Sequence, residues 1–201
     1  MAAHLRDRPP LLIRLGLCLA ALLVPLGPPA EGAMVDAVLA EAHGRVVTAG
    51  DIALARALAV FGFSPSEAPI VEGDVERFID ALLERHEAER LRIELSGEAK
   101  AAAWQALRAG WGGPEALESW LRKHGIAADW ARRLADGDLT RRRFLAARFP
   151  AIGIAGGPET TGQAQAAWRE AARGTAGIRR VPLPAEGIPC PFPMPAPSPP
   201  A

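Results

Sequence analysis

The sequence predicts a mainly α-helical (α+β) fold: a multi-helix domain with a small N-terminal β-hairpin joined by a C-terminal strand. Three observations carry that expectation. Apolar residues recur at helical spacing through most of positions 50–149, extended-type segments are confined to residues 35–47 and 178–183, and Gly, Pro and capping residues separate the helical stretches. Five Trp and six Phe supply bulk in a chain rich in alanine and without tyrosine, a composition suited to closely packed helices.

Residues 1–33 have the layout of a secretory signal peptide. Arg6, Arg8 and Arg14 precede about 12 apolar residues from Leu15 to Leu26, and a Gly/Pro/Ala stretch follows. The apolar run is short for a membrane span, which needs roughly 20 residues, so cleavage is expected and an uncleaved anchor is the alternative. Two sites compete, after Ala30 and after Ala33. Cys18 does not fit a lipid-attachment site, because Leu17 before it is not small and the apolar run continues past it.

Val35 to Glu41 reads as a first strand with incomplete alternation. Ala42-His43-Gly44 is a tight turn in which Gly44 can take positive φ, and Arg45-Val46-Val47 returns. Thr48 can then cap a helix with Asp51 at its third position, a capping box with Asp in place of Glu. That helix is expected to run to about Phe61 and to stop at Gly62. Gly62 to Pro69 is a turn-rich break.

A long helix follows from about Gly73 to Leu95, with Val75, Phe78, Ile79, Leu82 and Leu83 on its apolar face. Glu84 to Arg90 is read as a solvated charged surface with Arg85–Glu89 and Arg90–Glu94 pairs. Ser96 can cap the next helix, which carries Ala99, Ala103, Trp104 and Leu107 and ends near Gly110. Pro114 occupies the tolerated first position of another, whose apolar face is Leu117, Trp120 and Leu121 and whose C-terminal cap is Gly125. Asp129 opens a helix through Trp130, Leu134, Leu139, Phe144 and Leu145 to Phe149, stopped by Pro150; Gly137 weakens its middle and invites a kink. A helix around Gln163–Arg173 and a β-prone segment from Ile178 to Leu183 close the domain.

Composition narrows the function classes. The chain carries 23 Lys and Arg against 23 Asp and Glu. Removing residues 1–33 takes only Arg6, Arg8, Arg14, Asp7 and Glu31, so the balance stays near neutral and gives no case for nucleic acid or an anionic membrane surface. Only Cys190 survives processing, which leaves no intramolecular disulfide. About 168 residues then remain, enough for one domain with a real core.

A hairpin of the form V-x-A-V-x-x-x-x-G-x-V-V-T-x-x-D, a long helix, Ser-Gly-Glu-Ala opening a third helix and Gly-Gly-Pro-Glu-x-Leu opening a fourth resemble the N-terminal domain of SurA-type periplasmic chaperones, over about Val35 to Phe149. The resemblance implies a chaperone module that binds unfolded outer-membrane proteins, and a C-terminal helix and strand that return to the hairpin over residues 158–183. Parvulin isomerase domains often follow in that family. About 50 residues follow Phe149 here, fewer than a parvulin domain needs and without its His and Gly-Gly-Asp pattern, so isomerase activity is expected to be absent. Residues 184–201 are Pro-rich and expected to be disordered, with no packing role.

No pattern supports a catalytic or metal site. His43, His86 and His124 lack paired ligand spacing, Arg141-Arg142-Arg143 is read as a solvated face beside Asp136 and Asp138, and no Gly-rich segment matches a phosphate loop. Trp120 and Trp130 fall on core stripes. Trp104 and Trp111 flank a helix end next to Gly110 and Gly112-Gly113, where they could line an apolar groove; with Phe78 they are the candidate peptide-binding residues.

The expectation is therefore a periplasmic protein, acting without cofactor or ATP, that binds unfolded or extended polypeptides, outer-membrane proteins among them. No nucleic acid and no membrane span after signal removal are expected, and the oligomeric state is left open. A dedicated assembly partner that kept the fold, and a peptidyl-prolyl cis-trans isomerase, are the alternatives.

Overall fold

In a computed structural model, residues 36–150 and 157–193 are described. Val35, the signal segment 1–33 and residues 194–201 lie outside them, as do the expectations of cleavage and of disorder that fall there. The described residues are mainly helical with a small three-stranded antiparallel sheet: β1 (Val38–Ala42), β2 (Arg45–Thr48), α1 (Ala49–Ala57), α2 (Glu72–Arg90), α3 (Gly97–Gly110), α4 (Pro114–Lys123), α5 (Ala128–Arg148), α6 (Gly157–Thr175) and β3 (Arg179–Arg180).

The hairpin closes with two residues in the left-handed region, His43 at φ 51° and Gly44 at φ 71°, between the paired Ala42 and Arg45. Two positive φ values suit the right-handed twist of the flanking strands. Strand order is β2-β1-β3, so the strand nearest the N-terminus is central and the C-terminal strand pairs with its free edge through Ala40–Arg180 and Glu41–Arg179. Beyond that pair, the Val181 N–H donates to the Leu39 carbonyl at 2.9 Å.

The sheet passes into α1 through a reciprocal cap. Asp51 N–H donates to Thr48 Oγ1, and Thr48 N–H to Asp51 Oδ2, each at 3.1 Å. Helix α1 ends at Ala57, four residues before the expected Phe61. Ala59 (φ 52°) and Phe61 (φ 58°) then turn left-handed, and the Phe61 N–H donates to Asp138 Oδ1 of α5 at 2.9 Å. A tertiary acceptor outcompetes the next turn of helix, and burial of the Phe61 ring against Phe78 holds the strained backbone in place. The Arg56 guanidinium, only 5% exposed, fastens the following break by donating to the Ala68 and Pro69 carbonyls and to Asp74 at the start of α2.

Helix α2 is the spine. Val75, Phe78, Ile79, Leu82 and Leu83 pack in one core with Leu39, Val47, Ile52, Leu54, Leu117, Leu121 and Leu134. Ser96 caps α3, its Oγ accepting from the Ala99 N–H at 3.1 Å. Helix α5 runs through Gly137 unbroken. A Cβ there would stand 3.1 Å from Cδ of Arg85 and 3.4 Å from the Phe61 ring, so glycine allows α2 and α5 to approach.

Three surface assignments are corrected. Glu84 is 1% exposed and lies at the centre of a charged cluster, not on a solvated face. Arg141 likewise turns inward, onto Glu84 and Asp138, while its neighbour Arg142 reaches back to Asp138 from the surface. Arg90 pairs with Glu87 instead of Glu94, and the Arg85–Glu89 pair is present at 3.4 Å.

A fourth correction concerns the tail. Residues 184–193 were expected to have no packing role, yet Ile188 exchanges two backbone hydrogen bonds with Ile70 (2.7 and 2.9 Å) and Phe192 is 2% exposed. Gly187 makes the approach possible: at φ 78°, any Cβ would sit 2.7 Å from the Ile70 carbonyl oxygen.

Candidate functional site

Phe78 is no part of an exposed surface. It shares the inward face of α2 with Val75 and Ile79 and meets Phe61 edge to face at 5.5 Å, which places it in the core. Trp104 and Trp111 are different. Helix α3 buries none of its residues, and its apolar stripe of Ala99, Ala103, Trp104 and Leu107 is only half covered. Trp104 rests on the core with the Arg132 guanidinium 5.2 Å above its ring. Its indole N–H is shielded without an acceptor, as is Nε of Arg108 one turn on. Two unsatisfied donors side by side in a half-covered stripe make this a polar-starved part of the surface.

Trp111 follows α3 directly and leads into an aromatic cluster. Its ring lies 5.1 Å from that of Trp120 on α4; His124, one turn beyond Trp120, lies 5.0 Å from the same ring. The spacing 120 to 124 puts both rings on one face of α4 and its cap. Phe192 from the tail lies against both, 6.0 Å from Trp120 and 6.2 Å from His124. The Trp120 indole N–H donates to the Pro193 carbonyl at 3.1 Å. An Ile-Pro-Cys-Pro-Phe-Pro segment, bent at Pro191 and Phe192, thus sets one ring and one backbone carbonyl against the aromatic cluster and its indole N–H, the groups by which aromatic grooves hold proline-rich peptides. Burial holds the His124 imidazole below its ordinary pKa, with a smaller contribution from Lys123.

The second cluster joins α2 to α6. Glu72, Glu76, Asp80 and Glu84 recur every fourth residue and form one acidic stripe on α2. Gln165, Arg169 and Arg173 recur likewise on α6. Glu84 accepts from Arg169 at 2.7 Å, Arg141 at 3.1 Å and Gln165 at 3.2 Å. Arg173 bonds Glu76 and Asp80, and Arg180 of β3 reaches Glu76 at 2.6 Å. Burial raises the Asp80 carboxyl above its ordinary pKa, against the opposing pull of Arg173. A cleft of about 410 Å³ opens beside this seam, lined by Phe61, Arg77, Asp80, Glu84, Arg141 and Arg169. Its carboxylates are bonded to guanidinium groups of α5 and α6, so the seam clamps these helices to α2.

A cleft of about 550 Å³ between α2, α3 and α5 carries both signs of charge, among them Arg45, Arg85, Lys100 and Arg133 against Glu89, Glu94 and Asp136. His43 and His86 stack at 4.0 Å, and burial, then His86, lowers the His43 pKa. Among the described residues, no group of three or more His, Cys, Asp or Glu is placed to hold a metal ion, and no helix is long and apolar enough to cross a membrane.

Of the three residues proposed from sequence, then, Trp104 and Trp111 belong to a half-open apolar strip and Phe78 does not. Sequence reasoning missed Trp120, His124 and Phe192. The available signal was a lone large apolar residue between prolines in the tail, together with Trp and His four apart on a short helix. No protein-family model matches this chain, and no curated protein matches it.

Proposed function

We propose that the protein is a periplasmic, chaperone-like binder of unfolded or extended polypeptides, of the SurA N-terminal type, working without catalysis. The observation that carries the proposal is the strip formed by Trp104, Trp111 and the adjoining Trp120. A fourteen-residue helix that buries none of its residues leaves Trp104 and the following Trp111 half covered, beside the buried Trp120 and the tail segment it holds. Extended clients present apolar side chains, and the strip offers half-covered aromatic area to receive them. Export rests on residues 1–33 and their basic, apolar and Gly/Pro/Ala regions.

The decisive experiment mixes the purified mature protein, at several-fold excess, with urea-unfolded outer-membrane protein and follows light scattering after dilution. Slower aggregation is expected, with Trp111→Ala weakening the effect. Unchanged aggregation at that excess removes the proposal.

A further inference from the structure

We infer that the Trp120–His124 cradle is a recognition site for polypeptide carrying an aromatic residue between prolines, and that residues 189–193 are its built-in ligand, displaced when such a polypeptide binds. The inference shares its surface with the function proposed above and gives that surface a ligand class and a gate.

Three features of the tail have the character of a ligand. First, the contact is dominated by one inserted side chain: Phe192 is 2% exposed, while Cys190 and Pro191 before it are half-buried and Pro193 after it is exposed. Second, among the described residues, the side-chain donor of the cradle that bonds the tail takes a backbone carbonyl, that of Pro193, at 3.1 Å. A carbonyl acceptor is present in any polypeptide, so this bond selects no particular sequence. Third, prolines at 189, 191 and 193 fix φ at every second residue of the segment, which lowers the ordering cost that a flexible peptide would bear.

The attachment also has a natural breaking point. Upstream, Ile188 is fixed to Ile70 by two backbone hydrogen bonds, and β3 is fixed to β1. Downstream of Ile188, among the described residues, the tail's hydrogen bonds are the Trp120–Pro193 bond and a local contact from Cys190 Sγ to the Phe192 carbonyl at 3.3 Å. Residues 189–193 can therefore lift off without disturbing the sheet. Lifting exposes Trp120 and joins its ring to the half-covered Trp111, 5.1 Å away, and the apolar strip becomes continuous.

The test uses the full mature chain and a synthetic peptide of residues 187–193 carrying Cys190→Ser, with a control peptide in which Phe192 is also replaced by Ala. Binding is followed by Trp fluorescence and by anisotropy of a labelled peptide. A groove left open about one-tenth of the time binds a competitor about tenfold more weakly than an open one. Phe192→Ala in the protein is therefore expected to bind the peptide at least about tenfold more tightly than the unaltered chain. Trp120→Phe, introduced on the same background, is expected to weaken that binding, and the control peptide to bind neither form.

In the unaltered chain, saturating peptide should raise the rate of thiol labelling at Cys190 several-fold, a readout that needs no variant to fold. Equal affinity of the two proteins, or Cys190 labelling that ignores the peptide, overturns the inference. The two proposals fail separately: peptide binding without suppression of aggregation leaves the cradle standing and removes the chaperone, and the reverse outcome leaves a client surface that excludes the cradle.

Discussion

The C-terminal segment is fastened to the rest of the molecule in two chemically opposite ways. Helix α6 lies on α2 through a ladder of charge, in which Glu76, Asp80 and Glu84 face Arg169 and Arg173, with Trp168 against Phe144 as a supporting apolar contact. The tail lies on α4 through one aromatic ring and one indole hydrogen bond. A charge ladder dictates register, because every carboxylate must find its own partner, and it punishes the loss of a single member. An inserted ring tolerates exchange, since any aromatic side chain of similar size fills the same space. The first suits a permanent joint and the second a releasable one.

The sharpest way to break the comparison is Glu84→Ala. It leaves Arg141 and Arg169 without their shared carboxylate in a site 1% exposed at Glu84, and removal of one member of a buried ion cluster costs about 3–5 kcal/mol. Urea unfolding followed by circular dichroism should register a loss of that order, with α6 affected first.

Phe192→Ala comes next. Full burial of a Phe side chain contributes about 1.5–3 kcal/mol, and the tail can lift away instead of leaving a cavity, so the lower part of that range is expected. The emission of Trp120 should shift to the red while helix content stays constant.

Arg180→Ala removes the solvent-exposed end of the ladder, where Arg180 is 44% exposed beside Glu76 and Glu72. Such a pair is worth about 0–1 kcal/mol, so the loss should be small and should vanish in 1 M salt, which marks the point where the ladder ceases to act as a clamp.

Acidification gives the smallest effect and separates the two attachments by sign. His124 has a folded pKa held below the ordinary value of about 6.5, so the folded state resists its protonation and the contribution of this group is lost as pH falls through and below about 6.5. Asp80 has a folded pKa raised above the ordinary value of about 3.9. Its folded form holds the proton more tightly, so stability from this titration grows as pH falls through that raised value. The red shift of Trp emission that marks release of the tail should therefore begin as pH falls below about 6.5, before the α2–α6 seam responds. Simultaneous loosening of both would refute the separation.

What was legible in the sequence was local. The Thr48–Asp51 box, Ser96 and Pro114 each act within four residues of themselves, and each begins a helix as expected. The C-terminal strand was also legible, since Ile178–Leu183 is a β-prone segment after the last helix. The end of α1 was not, because the Phe61 N–H is claimed by a carboxylate 77 residues away. Glu84 was misread for the same reason: in sequence it looks like its solvated neighbours, and only the arrival of Arg141 and Arg169 makes its burial tolerable. The aromatic cradle needs two elements 68 to 72 residues apart, Trp120 and His124 on one side and Phe192 on the other, and periodicity carries no information on such pairs.

The position of β1 at the centre of the sheet has a consequence for how the chain comes to be folded. During synthesis β1 and β2 emerge early and can form their hairpin at once, but the other edge of β1 has no partner until Arg179 and Arg180 have been made, some 138 residues after Glu41. Throughout that interval an unpaired strand edge is available to any passing extended chain, and pairing across so long a span closes late in folding. The nascent protein is thus itself a candidate for protection until its last strand arrives.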